Sequence, residues 1–195
     1  MSTPNVANLL RVGLRLEYTT LGWNVVGIAV LAWAALSARS VALAGFGLDS
    51  LIEIGASAVV IWELRGTDDS RKRRALRSIG VAFALLATYL VIQGTVVLVT
   101  HHHARHSVAG IVWTALTALV MFSLAWGKSR IGRALDNVVL RTEGRVTLVD
   151  GILATAVLAG LVLNSALDWW WADPAAGFVL VFYAGRECVE ALNHE

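Results

Sequence analysis

One apolar run of helix-spanning length, interrupted by two acidic residues, constrains this chain more than any other feature. The run extends from Val41 to Leu64, and about 20 apolar residues are enough to cross a bilayer as a helix. Asp49 and Glu53 lie near its middle, four residues apart, and therefore share one helical face. An ionised group at that depth costs about 2.5–3.5 kcal/mol on insertion scales, so acids persist there mainly where they have a function. The pair predicts a cation site near the middle of a membrane.

Further long apolar segments fill the rest of the chain. The 195 residues are 57% hydrophobic and their mean hydropathy is +0.66, which is typical of a polytopic membrane protein. We predict an all-α bundle of six transmembrane helices that forms a single domain over residues 1–195. The predicted spans cover roughly 16–37, 41–64, 78–100, 107–127, 146–167 and 174–192.

Basic residues set the predicted orientation. All but two of the sixteen Lys and Arg lie near the N-terminus, between spans two and three, between spans four and five, or near the C-terminus. Cytoplasmic segments carry such an excess, so both termini are expected in the cytoplasm. Lys128 is assigned to the cytoplasmic loop between spans four and five on this basis. The same topological role explains the basic residues without a nucleic-acid partner, and the net charge is only +2.

Polar residues in two other spans are candidates for the same site. Span five carries Asp150, with Thr147 and Glu143 on the same helical face. Asp150 lies only five residues beyond Arg145, so an interfacial cap or a partner for Arg145 is the alternative to a ligand role. Asn24 in span one either faces the same cavity or makes an interhelical hydrogen bond.

A histidine-rich segment, His101–His106, forms the predicted outer loop between spans three and four. Short His tracts can bind metal weakly. We favour an exposed loop with no structural role, because nothing in the sequence fixes the imidazole rings. The nearby tryptophans 169–171 are interpreted as an interfacial aromatic belt and not as a substrate cage.

The segment Asp49-Ser-Leu-Ile-Glu53, approached through small residues, resembles the second span of the cation diffusion facilitator family of divalent metal transporters. The likeness continues at Asp150 and at Trp171-Ala-Asp-Pro-Ala-Ala-Gly177, which is similar to the family's entry into span six. The resemblance implies a six-helix fold with cytoplasmic termini, a homodimer and proton counter-transport. It also implies a metal site of Asp49, Glu53 and Asp150.

Two features depart from the family's pattern. Its zinc carriers have a His four residues before the span-five Asp, and Val146 stands there in this sequence. The chain also stops just past span six, which implies a short form without the family's cytoplasmic C-terminal domain. An all-oxygen site favours harder ions such as manganese, iron(II) or magnesium, and zinc would need Asn24 or water to complete its shell.

These features predict a proton-coupled exporter of a divalent cation in the lipid bilayer, expected in a bacterial inner membrane. We expect no resident cofactor and no enzymatic activity. The deprotonated acids would bind the ion from the inside, and protons on the outside would compete for them and release it. The alternative is a non-transporting membrane partner or regulatory protein that retains the fold, which the Val146 departure favours and the three acids oppose. An intramembrane hydrolase lacks an evident nucleophile.

Overall fold

Six α-helices make up the part of the chain that the structure describes, and the predicted all-α bundle is confirmed. The structure is a computed structural model, and it describes residues 6–64, 69–101 and 103–193. The helices are α1 (Val6–Ala38), α2 (Val41–Leu64), α3 (Asp69–Thr100), α4 (Val108–Ala134), α5 (Val138–Leu167) and α6 (Ala172–Asn193).

Contacts among helix tips close one end of the bundle. The amide of Arg105, between α3 and α4, donates to the carbonyl of Ala38 at the end of α1 at 2.7 Å. Asn164 near the end of α5 donates from Nδ2 to the carbonyl of Ala104 at 3.0 Å. We name this the outer end, because the predicted orientation places it outside, and the opposite end the inner end.

Several helices continue past their predicted spans toward the inner end, although α2 has the predicted bounds. α1 begins at Val6 and α3 at Asp69, whereas their spans were predicted from residues 16 and 78. α4 ends at Ala134 and α5 begins at Val138, so most of the segment predicted between spans four and five is helical, and only residues 135–137 separate the two helices. Hydropathy marks the part of a helix inside hydrocarbon, whereas its backbone hydrogen bonds continue beyond the border.

Two glycines let α4 and α5 approach closely along their length. A Cβ added at Gly144 would lie 2.7 Å from the Ser129 hydroxyl oxygen, and one added at Gly151 would lie 2.9 Å from the Phe122 ring. Both distances are shorter than a real Cβ tolerates, so glycine is needed where these helices meet. The close approach places the residue before Ser129, which is Lys128, against the inner half of α5.

Three of the helical segments are long and apolar enough to cross a membrane by length and composition. They are α1, α4 and the Glu143–Leu167 part of α5, and α3 contains a shorter apolar segment, Ala84–Thr100. α2 packs against α1, α3, α5 and α6, so it occupies a central position. The fold is therefore the helical bundle of an integral membrane protein.

An apolar core fills the bundle between the outer end and the acids of α2 and α5. All six helices contribute to it, and several of its large residues are almost completely buried: Leu31, Leu43, Phe46, Leu90, Leu153, Leu161 and Leu180. The buried charges of α2 and α5 lie beside this core.

Candidate cation site

A buried carboxylate from α6 fixes the start of α2. Asp173 is 1% exposed, and it accepts hydrogen bonds from the Ser40 hydroxyl and, at 2.9 Å, from the Val41 amide. The first amides of a helix have no partner within the helix, so Asp173 acts as a cap supplied by another helix. Asp49 and Glu53 follow further along the same helix.

Both acids of α2 face the interior of the bundle, as their spacing predicted. Asp49 is 2% exposed and Glu53 is 4% exposed. Asp150 of α5 is 4% exposed, and its carboxyl group interacts with that of Glu53. Asp49 interacts electrostatically with both of the other acids. The structure thus brings together the three acids predicted from the sequence, which we call the central acids.

Two oxygens of the central acids are left without hydrogen bonds. Glu53 Oε2 and Asp150 Oδ2 have no hydrogen-bond partner among the described residues, although both are buried. Buried polar atoms in folded proteins are almost always bonded, so an unpartnered pair needs an explanation. The pair therefore leaves two buried oxygens for another ligand.

The central acids do not converge on one point as they stand. Within residues 6–64, 69–101 and 103–193, no group of three or more His, Cys, Asp and Glu side chains is arranged to hold a metal ion. A cation bound by all three acids would require their side chains to turn toward a common centre.

A buried lysine forms a second charged group on the inner side of the central acids. Lys128 of α4 is 0% exposed. Its Nζ donates to Glu17 Oε2 at 3.1 Å, to Glu143 Oε1 at 3.2 Å and to Thr147 Oγ1 at 3.0 Å. We call these four residues the lysine cluster. The assignment of Lys128 to a cytoplasmic loop is wrong, because α4 continues as a helix for a further turn and a half.

The two charged groups are close enough to influence each other. Glu53 interacts electrostatically with Glu143 and Lys128, and Glu17 interacts with Glu53. Glu17 Oε1 has no hydrogen-bond partner among the described residues, although the side chain is fully buried. Five carboxyl groups and one ammonium group therefore share the inner half of the bundle.

The sequence contains a signal that could have identified the lysine cluster. Glu17, Lys128 and Glu143 each lie within three residues of the inner border of a predicted span. Charges at one depth on three different spans can meet inside the bundle, and opposite charges at that depth are expected to pair. Because Lys128 was interpreted only as an orientation signal, its pairing with Glu17 and Glu143 was not predicted.

The predicted accessory residues lie in the bundle interior, and two of them contact Lys128. Thr147 and Glu143 share the buried face of Asp150, as predicted, but both are bonded to Lys128. Asn24 is 3% exposed, and its Nδ2 has no hydrogen-bond partner among the described residues. This atom therefore does not make the interhelical hydrogen bond that was considered for Asn24. Val146 is half-buried on α5, one turn before Asp150.

The histidine-rich segment packs on a tryptophan at the outer end. The rings of His101 and His103 stack on Trp170, with centroid distances of 5.2 and 5.6 Å. His106 Nε2 lies 3.4 Å from a carboxylate oxygen of Asp168. The interpretation of this segment as having no structural role is therefore wrong for these rings; His102 lies outside the described residues.

A helical bundle with charged groups buried in its interior defines an integral membrane protein that handles ions. A family model for the cation efflux transmembrane domain matches residues 77–192, which is more than half of the chain. The chain belongs to this family, whose members are transporters and not enzymes. A comparison with curated proteins finds no match.

The residues matched by the family model include only part of each charged group. Lys128, Glu143 and Asp150 lie within the matched residues, whereas Asp49 and Glu53 of α2 lie before them. The match therefore supports the resemblance noted for α5 and α6 independently of the acidic pair. The roles of the α2 acids depend on their burial and on the contact with Asp150.

Proposed function

We propose that this protein exports a divalent metal cation by alternating access, with protons as the counter-ion and the central acids as the binding site. Family membership supplies the coarser statement, cation efflux. One observation supports the finer one: Glu53 and Asp150, from different helices, interact with each other, and each keeps a buried oxygen without a hydrogen-bond partner among the described residues.

The chemistry of these groups explains how protons and metal would exchange. Carboxylates bind a metal ion only after losing their protons, so binding releases protons and acid weakens it. An ion that enters from the inside would bind to Glu53 and Asp150 once they have lost their protons, and Asp49 would turn to complete the set. Protons entering from the outside would neutralise these carboxylates and release the ion.

The packing around the central acids is compatible with access from one side at a time. The apolar core lies between them and the outer end, and the lysine cluster lies between them and the inner end. Transport therefore requires helices to move, as in transporters whose site lies between two gates. α2 contacts four other helices, so a shift of α2 would reach most of the bundle.

The donor atoms indicate which ions are carried. Oxygen ligands suit manganese, iron(II) and magnesium, whereas zinc prefers at least one nitrogen or sulfur. The position that would supply an imidazole carries Val146. We propose that the harder ions are preferred, and that Asn24 or water completes the shell when zinc binds.

The location and assembly of the protein are part of the same proposal. The basic residues favour cytoplasmic termini in a bacterial inner membrane. We further propose that residues 1–195 act as one transmembrane domain and that two copies form a homodimer, as the resemblance implies.

Two observations favour the alternative of a non-transporting membrane partner. Lys128 already neutralises part of the buried negative charge, and no ready-made group of three ligands is present in the described residues. A protein that had lost its ion site would need an internal cation of this kind to keep its buried acids stable.

Ion flux into liposomes decides between the two functions. Purified protein of verified fold and orientation is tested with manganese, iron(II), magnesium and zinc, and Glu53→Gln is compared with the wild type. Asp136→Asn is the matched control, because it makes the same chemical change at an exposed acid in the α4–α5 turn. We expect flux in the wild type and control and none in Glu53→Gln. Flux of none of the four ions in the wild type would favour the non-transporting partner, and wild-type flux in Glu53→Gln would exclude the proposed site.

A further inference from the structure

The environment of Lys128 is that of a bound cation. Its ammonium group has three N–H donors, and each meets one oxygen at 3.0–3.2 Å from Glu17, Glu143 or Thr147. The side chain is fully buried. Oxygens on two helices thus surround a positive charge that a third helix supplies.

The lysine cluster contains more negative than positive groups. It has two carboxyl groups and one ammonium group, and both carboxyl groups approach Lys128 to within 3.2 Å. The second oxygen of Glu17 is buried and lacks a partner among the described residues. Two carboxylates and a hydroxyl oxygen match the ligands that divalent cations use, although an ion would draw them in to about 2.0–2.6 Å.

We propose that Glu17, Glu143 and Thr147 form a second cation site, which Lys128 fills with its own ammonium group and thereby closes to a metal ion. Because the ammonium is covalently attached, it cannot be transported. The protein then holds one divalent cation at the central acids and not two.

The neighbouring charges give this arrangement a consequence for specificity. Glu53 interacts electrostatically with Lys128, so the charge at the lysine cluster acts on any ion bound at the central acids. A metal ion in place of Lys128 would double that charge and, through repulsion between the two ions, lower the affinity of the central acids without abolishing their binding. The lysine therefore sets the number of ions held by the buried acids.

The test is a count of bound ions. Equilibrium dialysis with Mn²⁺, and separately with Zn²⁺, is performed on the solubilised full chain. We expect Lys128→Met to bind one more ion than the wild type, and the added Glu17→Gln in Lys128→Met/Glu17→Gln to remove that extra ion. Arg130→Met is the matched control, because Arg130 lies on the exposed face of the same helix, over the Trp126 ring. It should bind as many ions as the wild type.

The count distinguishes this inference from the proposed function on which it rests. If the wild type binds no ion and Lys128→Met binds one, the proposed central site fails and the lysine inference holds. If folded Lys128→Met binds the same number of ions as the wild type, the lysine inference is overturned whatever the wild type binds.

A second measurement covers the case in which Lys128→Met does not fold without metal. Its thermal unfolding is then recorded in excess Mn²⁺ and in chelator, beside the wild type. We expect Mn²⁺ to restore a folded state, because the ion replaces the missing ammonium between Glu17 and Glu143. If the variant stays unfolded in Mn²⁺, no metal ion can take the place of Lys128, and the inference is wrong.

Discussion

Buried acids occur both at the outer end and deeper inside this bundle, and their hydrogen bonding differs. Asp173 at the outer end receives hydrogen bonds from the Ser40 hydroxyl and the Val41 amide. Deeper in the bundle, Glu53 and Asp150 interact with each other, and each retains an oxygen with no hydrogen-bond partner among the described residues. Both regions are almost fully buried, so exposure does not explain the difference.

The comparison separates a structural acid from an exchangeable one. Donors from the backbone of α2 occupy the Asp173 carboxylate permanently, and the charge stabilises the start of that helix. Glu53 and Asp150 each keep a buried oxygen without a hydrogen-bond partner among the described residues. A proton or a cation would complete their bonding, which is the property that ion exchange requires.

Neutralising a central acid should have the largest effect on transport. We expect Glu53→Gln and Asp49→Asn each to lower metal flux by about 100-fold or more, because each removes a charged ligand. Their unfolding temperatures should stay the same or rise, since a buried charge is removed. Liposome flux and thermal unfolding are measured on the same preparations. A variant with wild-type flux would show that the residue is not a ligand.

Removing the cap at Asp173 should lower stability and leave metal binding unchanged, the opposite of the effect expected at the central acids. Asp173→Ala leaves the Ser40 hydroxyl and the Val41 amide without their acceptor, so we expect a loss of about 1–3 kcal/mol in the free energy of unfolding. Metal affinity per folded molecule should remain within about twofold of wild type, since the cap does not touch the ion. Denaturant unfolding and Mn²⁺ titration measure the two quantities. Unchanged stability together with lost Mn²⁺ affinity would show that Asp173 acts on ion binding and is not a structural cap.

Installing an imidazole beside the central acids should change the preferred ion. Val146→His places a ring nitrogen one turn before Asp150, and we expect the affinity for zinc relative to manganese to rise about tenfold. Competition titration with both ions measures the ratio.

Leu148→His is the control for this variant, because Leu148 lies on an exposed part of the same helix. It should leave the ratio as in the wild type. If Val146→His also leaves it unchanged, residue 146 does not face the bound ion.

The histidine-rich segment should contribute least. Replacing His101, His102, His103 and His106 with Ala removes the rings that stack on Trp170, at the opposite end of the bundle from the lysine cluster. We expect flux and its dependence on external acid to stay within about twofold of wild type, because the protons compete at the carboxylates. Flux at several external pH values tests this. Loss of proton-coupled flux, with ion binding intact, would place proton exchange in the loop.

Features set by one helix alone could be predicted from the sequence. The bounds of α2 and the shared faces of Asp49 with Glu53 and of Glu143 with Asp150 followed from hydropathy and from the 3.6-residue period. Each depends on spacing along the chain, and tertiary contacts did not override it.

Features set by pairs of helices could not be predicted in the same way. The burial of Lys128 depends on Glu17 from α1 and Glu143 from α5, and hydropathy considers each segment separately. A lysine near a span border therefore looks like an orientation signal, although a partner on another helix can hold it inside. The cap on α2 was missed for the same reason, because Asp173 lies more than 130 residues after the amide that it binds.

Proton release on metal binding tests the central claim most directly. Mn²⁺ is added to solubilised protein in weakly buffered solution, and bound ions and released protons are counted together. If the central acids exchange protons for the cation, the wild type and Asp173→Asn release about one proton or more per bound ion. Glu53→Gln and Asp150→Asn should lose both the binding and the release. Mn²⁺ binding by Glu53→Gln with wild-type affinity and proton release would contradict the account.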